Sequence, residues 1–406
     1  MGSYPLVLDL AGRRAVVVGG GAVALRRARG LLDAGAAVQV VAPSVLPALA
    51  ELPVSLTRRP YADGDLAGAW LVHACTDDAA VNAAVAAEAE RRQVPCVRAD
   101  AGSGGTARTP AVARSGGVLV AVASEDVADP GRVRAVRDAV ALLLETGELP
   151  LRPHRPGSGR VALVGGGPGD PELITVRGRR LLAAADVVVV DRLAPRSLLA
   201  GLPPGVEVVD VGKAPHGAGP TQAEICAVLV DRARRGLRVV RLKGGDPFVL
   251  GRGGEEVLAC VEAGVPVEVV AGVSSVLAGP AAAGIPVTHR GVAADFAVVS
   301  GHLDPTRPGS SVDWQALADG PATLVLLMAL DRLAAVAGEL VKRGRPATTP
   351  VAVVRRATLP DQRVLVATLE TVAAEVTAAG LRPPAVIVIG EVVGLRDTLW
   401  GGAPPG

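Results

Sequence analysis

Two glycine-rich turns of different build, each launched from a run of apolar residues, constrain this chain most. The first is VALVGGGPGDPELIT at 161–175 and the second is VVRLKGGDPFVLGRGGEE at 239–256. A strand that ends in successive glycines presents bare backbone, which a ligand can approach more closely than any side chain permits. Both turns lie in a segment, 160–302, where strand-like and helix-like runs alternate, so the fold class is α/β. A simpler turn, Gly19-Gly20-Gly21-Ala22-Val23-Ala24, follows an apolar run near the N-terminus. It is not a repeat of the turn at 165, because it runs straight into a helix while the later one inserts Pro-Gly-Asp-Pro.

The chain has 406 residues, half of them hydrophobic, which is enough for two or three domains. Aromatic residues make up only 2%, so the cores must be packed from Ala, Val and Leu. The 42 basic and 40 acidic residues leave a net charge of +2. That balance excludes a global field for nucleic acid or a membrane surface, and any anion binding must be local. Cys75, Cys96, Cys226 and Cys260 form no CxxC pair and have no metal-ligand spacing with a histidine. They are expected to be reduced core thiols of a cytoplasmic protein, and no metal site is expected. The opening MGSYPLVLDLAGRR lacks the basic and apolar regions of a signal peptide. Residues 269–288 carry no charge over a length that could span a membrane, but Gly272, Gly279, Pro280, Gly284 and Pro286 break the run. A strand end, a loop, a short buried helix and a turn are expected there.

Residues 13–41 predict a strand, the glycine turn, a helix stopped by Gly35 and a second, parallel strand. Further strands at 70–75, 94–98 and 118–123, with a helix capped by Thr76-Asp77-Asp78, complete a Rossmann-like doubly wound sheet. A helix is expected at 131–147, followed by LPLRPHRPGSGR, whose prolines and glycines mark a linker. The expected division is therefore a domain at 1–148, a linker at 149–159 and a second domain at 160–400. A polar, proline-bearing stretch at 303–313 parts the second domain into two α/β lobes, about 160–302 and 314–400.

Gly19-x-Gly21-x-x-Ala24 between a strand and a helix is the dinucleotide fingerprint with alanine in the third place. The helix N-terminus behind it can hold a pyrophosphate through backbone N–H groups. The usual acidic residue at the end of the next strand is missing, since 38–44 reads VQVVAPS, and no arginine replaces it. NAD is preferred, NADP stays open, and a glycine turn that binds nothing is the bland alternative. Read from the residues alone, Asp100 is as much a cap for the loop that follows as a candidate base. His73, in AWLVHAC, reads as a core histidine.

The N-terminal run from Tyr4-Pro5-Leu6 through VVVGGGAVALRRARGLLDAGA, HACTDDAAVN and VPCVRADAG is similar to the precorrin-2 dehydrogenase domain of siroheme synthases, over 1–123. That resemblance implies oxidation of a tetrapyrrole by NAD, with ferrous iron often inserted as a substrate at the same site. It places Asp100 on the catalytic aspartate, which would take a proton as hydride leaves the substrate and could steer Fe²⁺, and Ala22, Val23, Pro43 and Ser44, beside Gly19 and Gly21, on the dinucleotide contacts. One loop departs from the family. After VLVAVAS, where the family has Ser-Gly-Gly-Thr-Ser-Pro, stands Glu125-Asp126-Val127-Ala128-Asp129-Pro130. Three carboxylates in place of a glycine nest would repel an acidic tetrapyrrole or collect a cation. Ser124 stays in the serine position, and the family's central helical dimerisation segment is cut short.

DVVVVDRL at 186–193, VGK at 211–213, Gln222 and Glu224 ahead of a helix, LKGGDPFVLGRGGEE, and VVAGVSSVLAGPAAAGIPVTHRG at 269–291 resemble the uroporphyrinogen-III C-methyltransferases, a branch of the tetrapyrrole methylases. The resemblance covers 160–395. It implies S-adenosylmethionine as donor and uroporphyrinogen III as acceptor, methylated at two ring carbons to precorrin-2. By motif, the donor contacts are Pro168, Gly244, Gly245, Asp246, Val249, Ser274, Ser275, Met328 and Ala357. Asp191 becomes the general base, and Lys213 the proton donor or a contact for a substrate carboxylate. Read from the residues alone, Asp191 ends an apolar strand at the sheet edge where α/β sites form, or it caps that strand. Lys213 is otherwise a solvated lysine. Arg252, His289 and Arg290 are candidates to bind the acceptor's carboxylates or to pair within the protein, and His216, in a Gly/Pro-rich loop near Lys213, is a further candidate to touch substrate. Two positions depart from the family: Arg355-Arg356-Ala357-Thr358 replaces Glu-Asn-Gly-Thr, and Ala271 replaces a proline.

The resemblances together imply a homodimeric fusion enzyme whose small-molecule substrate is a tetrapyrrole, with no nucleic acid or membrane partner. It would methylate uroporphyrinogen III, oxidise precorrin-2 to sirohydrochlorin and, if the iron step is kept, form siroheme. The alternatives are a methyltransferase with a non-catalytic dinucleotide-binding or assembly module, and a later methylase of cobalamin synthesis.

Overall fold

The apolar runs become strands, and they gather into three main sheets. The computed structural model describes residues 4–101, 104–115, 117–125, 129–149, 158–212, 219–307 and 312–400. The chain divides into two compact units, Met1–Leu142 and Leu143–Gly406.

The first unit holds β1 (Arg14–Val18), β2 (Ala37–Val41), β3 (Ser55–Thr57), β4 (Leu71–Ala74) and β5 (Cys96–Arg98). They lie side by side in the order β3-β2-β1-β4-β5, all parallel. The helix Ala22–Asp33 links β1 to β2 and buries Ala24, Ala28 and Leu31, which recur at helical spacing. Gly35, at φ +75°, lets the chain leave this helix in the left-handed conformation. Asp78 caps the helix Ala79–Arg91 by accepting from the N–H groups of Ala80 and Val81.

The strand expected at 118–123 does not join this sheet. β6 (Ala111–Ser115) and β7 (Val118–Val122) form a separate antiparallel pair. The reason lies in covering: β7 is nowhere fully buried, whereas an interior parallel strand must be covered on both faces. The helix Pro130–Thr146 follows, with Asp129 accepting from the N–H of Arg132 at its start. The expected linker falls mostly outside the described residues.

The second unit opens with a parallel sheet of β8 (Arg160–Gly165), β9 (Val187–Val190), β10 (Glu207–Asp210), β11 (Arg238–Lys243) and β12 (Val267–Val270), in the order β10-β9-β11-β8-β12. A mixed sheet follows: β13 (Phe296–Ser300), β14 (Thr323–Leu327), β15 (Pro350–Arg355), β16 (Arg363–Thr368) and β17 (Ala385–Ile389), in the order β13-β14-β17-β15-β16. Only the β13–β14 pair is parallel in it.

The lobe boundary therefore differs from the expected one near 302. β13 registers along β14, and the helix Ser275–Ala282 packs Val276 against Val325 and Val386 of the second sheet. Backbone pairing drew the strand across, so the polar stretch that begins at 303 follows a strand of the second lobe, with 308–311 outside the described residues. As the scarcity of aromatics requires, the cores are Val, Leu, Ala and Ile, and Trp314 is the one buried aromatic among the described residues.

The two glycine-rich turns meet a third at the carboxyl ends of β11, β8 and β12. A Cβ on Gly165 would lie 2.5 Å from the Cα of Gly272 and 2.7 Å from the carbonyl oxygen of Gly245. A Cβ on Gly272 would lie 2.2 Å from that same oxygen. The N–H of Gly245 donates to the oxygen of Gly167 at 2.7 Å, and the N–H of Gly166 donates to the oxygen of Lys243 at 2.7 Å. Gly272→Ala should therefore destabilise the second unit by about 1–3 kcal/mol, read as a lower urea midpoint. Gly338→Ala, in the helix Leu333–Lys342 with open space around it, should be neutral or raise stability by about 0.5–1 kcal/mol. Equal midpoints for the two variants would refute the close-packed junction.

Candidate functional site

Around the glycine junction the loops are tied down one by one. Asp246 accepts from the N–H of Gly272 at 3.0 Å and from the N–H of Phe248 at 2.8 Å, one bond to each carboxylate oxygen. The sequence assigned Asp246 to the donor; the fold already uses it as a strut between two turns. Gly244 admits no side chain, since its Cβ would stand 2.7 Å from the carbonyl oxygen of Leu193. Gly245, at φ +66°, keeps one open side facing Ser275. Ser274 caps the helix Ser275–Ala282 by accepting from the N–H of Val276. Val249 packs with Val276, Val325 and Val386, so it bridges the two lobes as core.

The second lobe closes on the first turn. Thr358 accepts from the N–H of Asp170 at 3.1 Å, and a Cβ on Gly169 would touch Leu359 at 2.9 Å. Ala357 is buried between Arg356 and Thr358, which take left-handed φ values of +49° and +66°. Met328, half exposed at φ +58°, and Leu250 and Arg252, at +55° and +59°, share that rare conformation. Strained non-glycine backbone of this kind is held in place by its surroundings, and such strain clusters at ligand sites. Pro168, Gly244, Gly245, Ser274 and Ser275 thus surround one junction.

Asp191 follows β9 beside that junction, its N–H donating to the oxygen of Leu242 at 3.2 Å. Behind it lies a group of charges that the sequence reading passed over. Arg241 Nη2 donates to Asp191 Oδ1 at 2.5 Å, and Arg241 Nε donates to Glu256 Oε1 at 3.0 Å. The Lys243 ammonium stands 3.2 Å from both oxygens of Glu256 and 3.7 Å from Asp191 Oδ2. Gln222 Nε2 also donates to Glu256, at 3.2 Å. Arg241, Lys243 and Glu256 are buried in a core of Val and Leu. Removing one partner from such a set would leave an uncompensated buried charge, costing about 3–5 kcal/mol. The signal was available: Arg241 and Lys243 alternate on one face of a strand whose other residues, past Arg238 at its start, are apolar.

Lys213 and His216 lie outside the described residues. Arg252 pairs with Glu255 through two contacts of 2.8 Å, so the intraprotein pairing holds for it. His289 and Arg290 are exposed, with His289 Nδ1 2.9 Å from the carbonyl oxygen of Arg290.

In the first unit the dinucleotide turn is equally tight. A Cβ on Gly19 would lie 2.5 Å from the oxygen of Cys75, and one on Gly20 only 1.9 Å from the oxygen of Ser44. Gly21 has nothing within 4 Å and begins the helix Ala22–Asp33 with no side chain capping it. Its free N–H groups and bare backbone suit a phosphate. Ala22, Pro43 and Ser44 are exposed and Val23 is half-buried along the same edge.

Asp100, beyond β5, is gripped by Arg98, whose Nη2 and Nε donate at 2.6 and 3.1 Å. That pairing, aided by Asn82, pulls the carboxyl down to about 2. Gly104 makes room for the arginine, since a Cβ there would meet Arg98 Nη1 at 3.0 Å. Of the acidic loop, Asp129 caps a helix and Asp126 lies outside the described residues. Burial, then Arg27, pushes His73 down to about 4, and burial raises the Cys75, Cys96 and Cys260 thiols to about 11. These are inert core groups; Cys226 is only half-buried. Among the described residues, no cluster of His, Cys, Asp or Glu could hold a metal ion, and no helix is long and apolar enough to cross a membrane.

The family model for Tetrapyrrole (Corrin/Porphyrin) Methylases matches residues 160–373, and a putative NAD(P)-binding model matches 6–111. The siroheme synthase of Methylococcus capsulatus is 37% identical, covering 98% of this chain and 97% of its own. The chain belongs to the siroheme synthase family. An S-adenosyl-L-methionine-dependent uroporphyrinogen III methyltransferase of Methanosarcina barkeri is 47% identical over 59% of this chain and 94% of its own. The uroporphyrin-III C-methyltransferase of Thermus thermophilus, solved with S-adenyl homocysteine, has a TM-score of 0.50 at 48% identity, covering 58% of this chain and 93% of its own. Alignment to the Methylococcus siroheme synthase runs over 462 positions against the 406 residues here, so that relative carries segments without a counterpart.

The Arg98 grip makes Asp100 a weak base while the pair is closed. Because the carboxyl's folded value lies below its ordinary one, any stabilisation from the pair is present above the ordinary aspartate range and disappears as pH falls through about 2. Arg98→Leu should raise the Asp100 titration midpoint from about 2 toward about 4, read by carboxyl carbon NMR with labelled aspartate. An unmoved midpoint would show that Arg98 does not hold the carboxylate in solution.

Proposed function

We propose that the second unit methylates uroporphyrinogen III to precorrin-2 and that the first oxidises precorrin-2 to sirohydrochlorin with NAD. The observation that carries the reading is the seat of Asp191: partly open, at the carboxyl edge of a parallel sheet, two residues before Leu193, whose carbonyl oxygen packs against Gly244. Acid beside cradle is what methyl transfer followed by proton loss requires.

S-adenosylmethionine, when bound, supplies an electrophilic methyl group on a sulfonium. Gly244, Gly245, Pro168, Ser274, Ser275, Met328 and Ala357 are the residues to hold it, the bare backbone of Gly245 allowing close approach. The chain's work is to fix the donor against an electron-rich ring carbon and exclude water, which converts an encounter into an oriented reaction. Asp191 accepts the proton that the ring loses after its new carbon–carbon bond forms. Lys213 meets a substrate carboxylate or returns a proton. In the first unit Gly19, Gly21, Ala22, Val23, Pro43 and Ser44 hold the dinucleotide, and Asp100 takes the proton that leaves as hydride departs. Ferrous iron would be a substrate of that same unit, and siroheme its product. We read the enzyme as a cytoplasmic homodimer whose modules are residues 1–148 and 160–400.

Uroporphyrinogen III given with labelled donor should yield a dimethylated product; a singly methylated product, or none, would overturn the methylase assignment. The closed Arg98–Asp100 pair favours a second reading, in which the first unit binds dinucleotide without turning over. Precorrin-2 with NAD⁺ separates the two. NADH absorbance should rise at least about a hundredfold faster than in Asp100→Asn, within the usual contribution of a general base. Rates no different from that variant would establish the silent module.

A further inference from the structure

Arg241 and Glu256 are 1% and 0% exposed, Lys243 is 3% exposed, and Asp191 is the member of their group with an open side. Burying such ions is unfavourable unless their geometry is good, and a well-packed apolar pair would join helix to sheet at least as firmly. An apolar pair cannot hold a carboxylate in one orientation.

We propose that Arg241 is the positioning residue for Asp191, with Glu256 and Lys243 as its support. The guanidinium is a planar fork. One prong holds Asp191 Oδ1 at 2.5 Å and Nε holds Glu256 at 3.0 Å, so the fork cannot turn without breaking both contacts. Nη1 lies 3.3 Å from the carbonyl oxygen of Val189, on the strand that carries Asp191. Lys243 faces the other Asp191 oxygen at 3.7 Å, and Gln222 fixes Glu256 from the helix Gln222–Arg234. The carboxylate is thereby aimed before substrate arrives. Arg241, enclosed as it is, touches no substrate itself. The inference rests on reading Asp191 as the proton acceptor.

The test uses the full chain with Arg241→Met and Glu256→Gln together, which removes one positive and one negative charge and leaves Lys243 facing Asp191. The double variant should keep its circular dichroism, bind S-adenosylhomocysteine with wild-type affinity by calorimetry and keep KM for uroporphyrinogen III within about twofold. Its kcat should fall about ten- to a hundredfold, the scale of a misplaced reacting group. Adding Asp191→Asn to it should then change kcat little, although Asp191→Asn alone costs the full loss, because the residues act as one unit. Wild-type kcat in the folded double variant, or losses that simply multiply, would overturn the positioning role. Wild-type kcat in Asp191→Asn alone would instead sink the reading of Asp191 as base. Should the double variant fail to fold, Arg241→Lys keeps the charge but loses the fork. It should show the same fall in kcat with donor binding intact, and full turnover there would overturn the proposal.

Discussion

Backbone touching backbone at the ends of three parallel strands is the contact on which the methylase unit depends. Gly165, Gly245 and Gly272 stand so close that a single methyl group at Gly165 or Gly272 would collide with main-chain atoms. Because the neighbours are backbone, no side chain can swing aside to relieve such a collision. The contact brings three turns together. Asp246 then ties two of them, and Thr358 draws in the second lobe through Asp170.

Next to those turns the chain buries charge in a core otherwise built of small aliphatic residues. With few aromatics, the sheets are covered by Val, Leu and Ala, whose contacts are numerous and undirected. The guanidinium of Arg241 supplies what they lack, a contact with fixed angles. The first unit handles its acid differently. Asp100 is partly exposed and paired with an arginine that is itself partly exposed, so solvent screens the pair. One carboxylate is fixed from within and the other is held at the surface.

Much of this was legible in the residues. The glycine turns, the helix begun by Asp78 and the first parallel sheet follow from local rules: period, cap and breaker act within a few residues. The seat of Asp191 at a strand end was likewise visible, because DVVVVDRL can hardly be anything but a buried strand leaving its sheet. Three features were not. The strand at Phe296–Ser300 joins the second lobe, since strand partners are chosen across the sequence. β7 stands apart from the Rossmann-like sheet, since covering by other elements decides which strands it includes. Asp246 is a strut, because its partners, Gly272 and Phe248, are set by how turns dock.

The sequence by itself determined the α/β class, the glycine-built turns, the family and the identity of the two candidate acids. Tertiary structure alone decided how those acids behave: Arg241 and Lys243 beside Asp191, Arg98 over Asp100, and the three glycines in mutual contact. The physical reason is range. Propensity, capping and turn chemistry depend on neighbours along the chain, whereas an ion pair or a backbone collision depends on distance in space. That distance exists only after the sheets have been ordered.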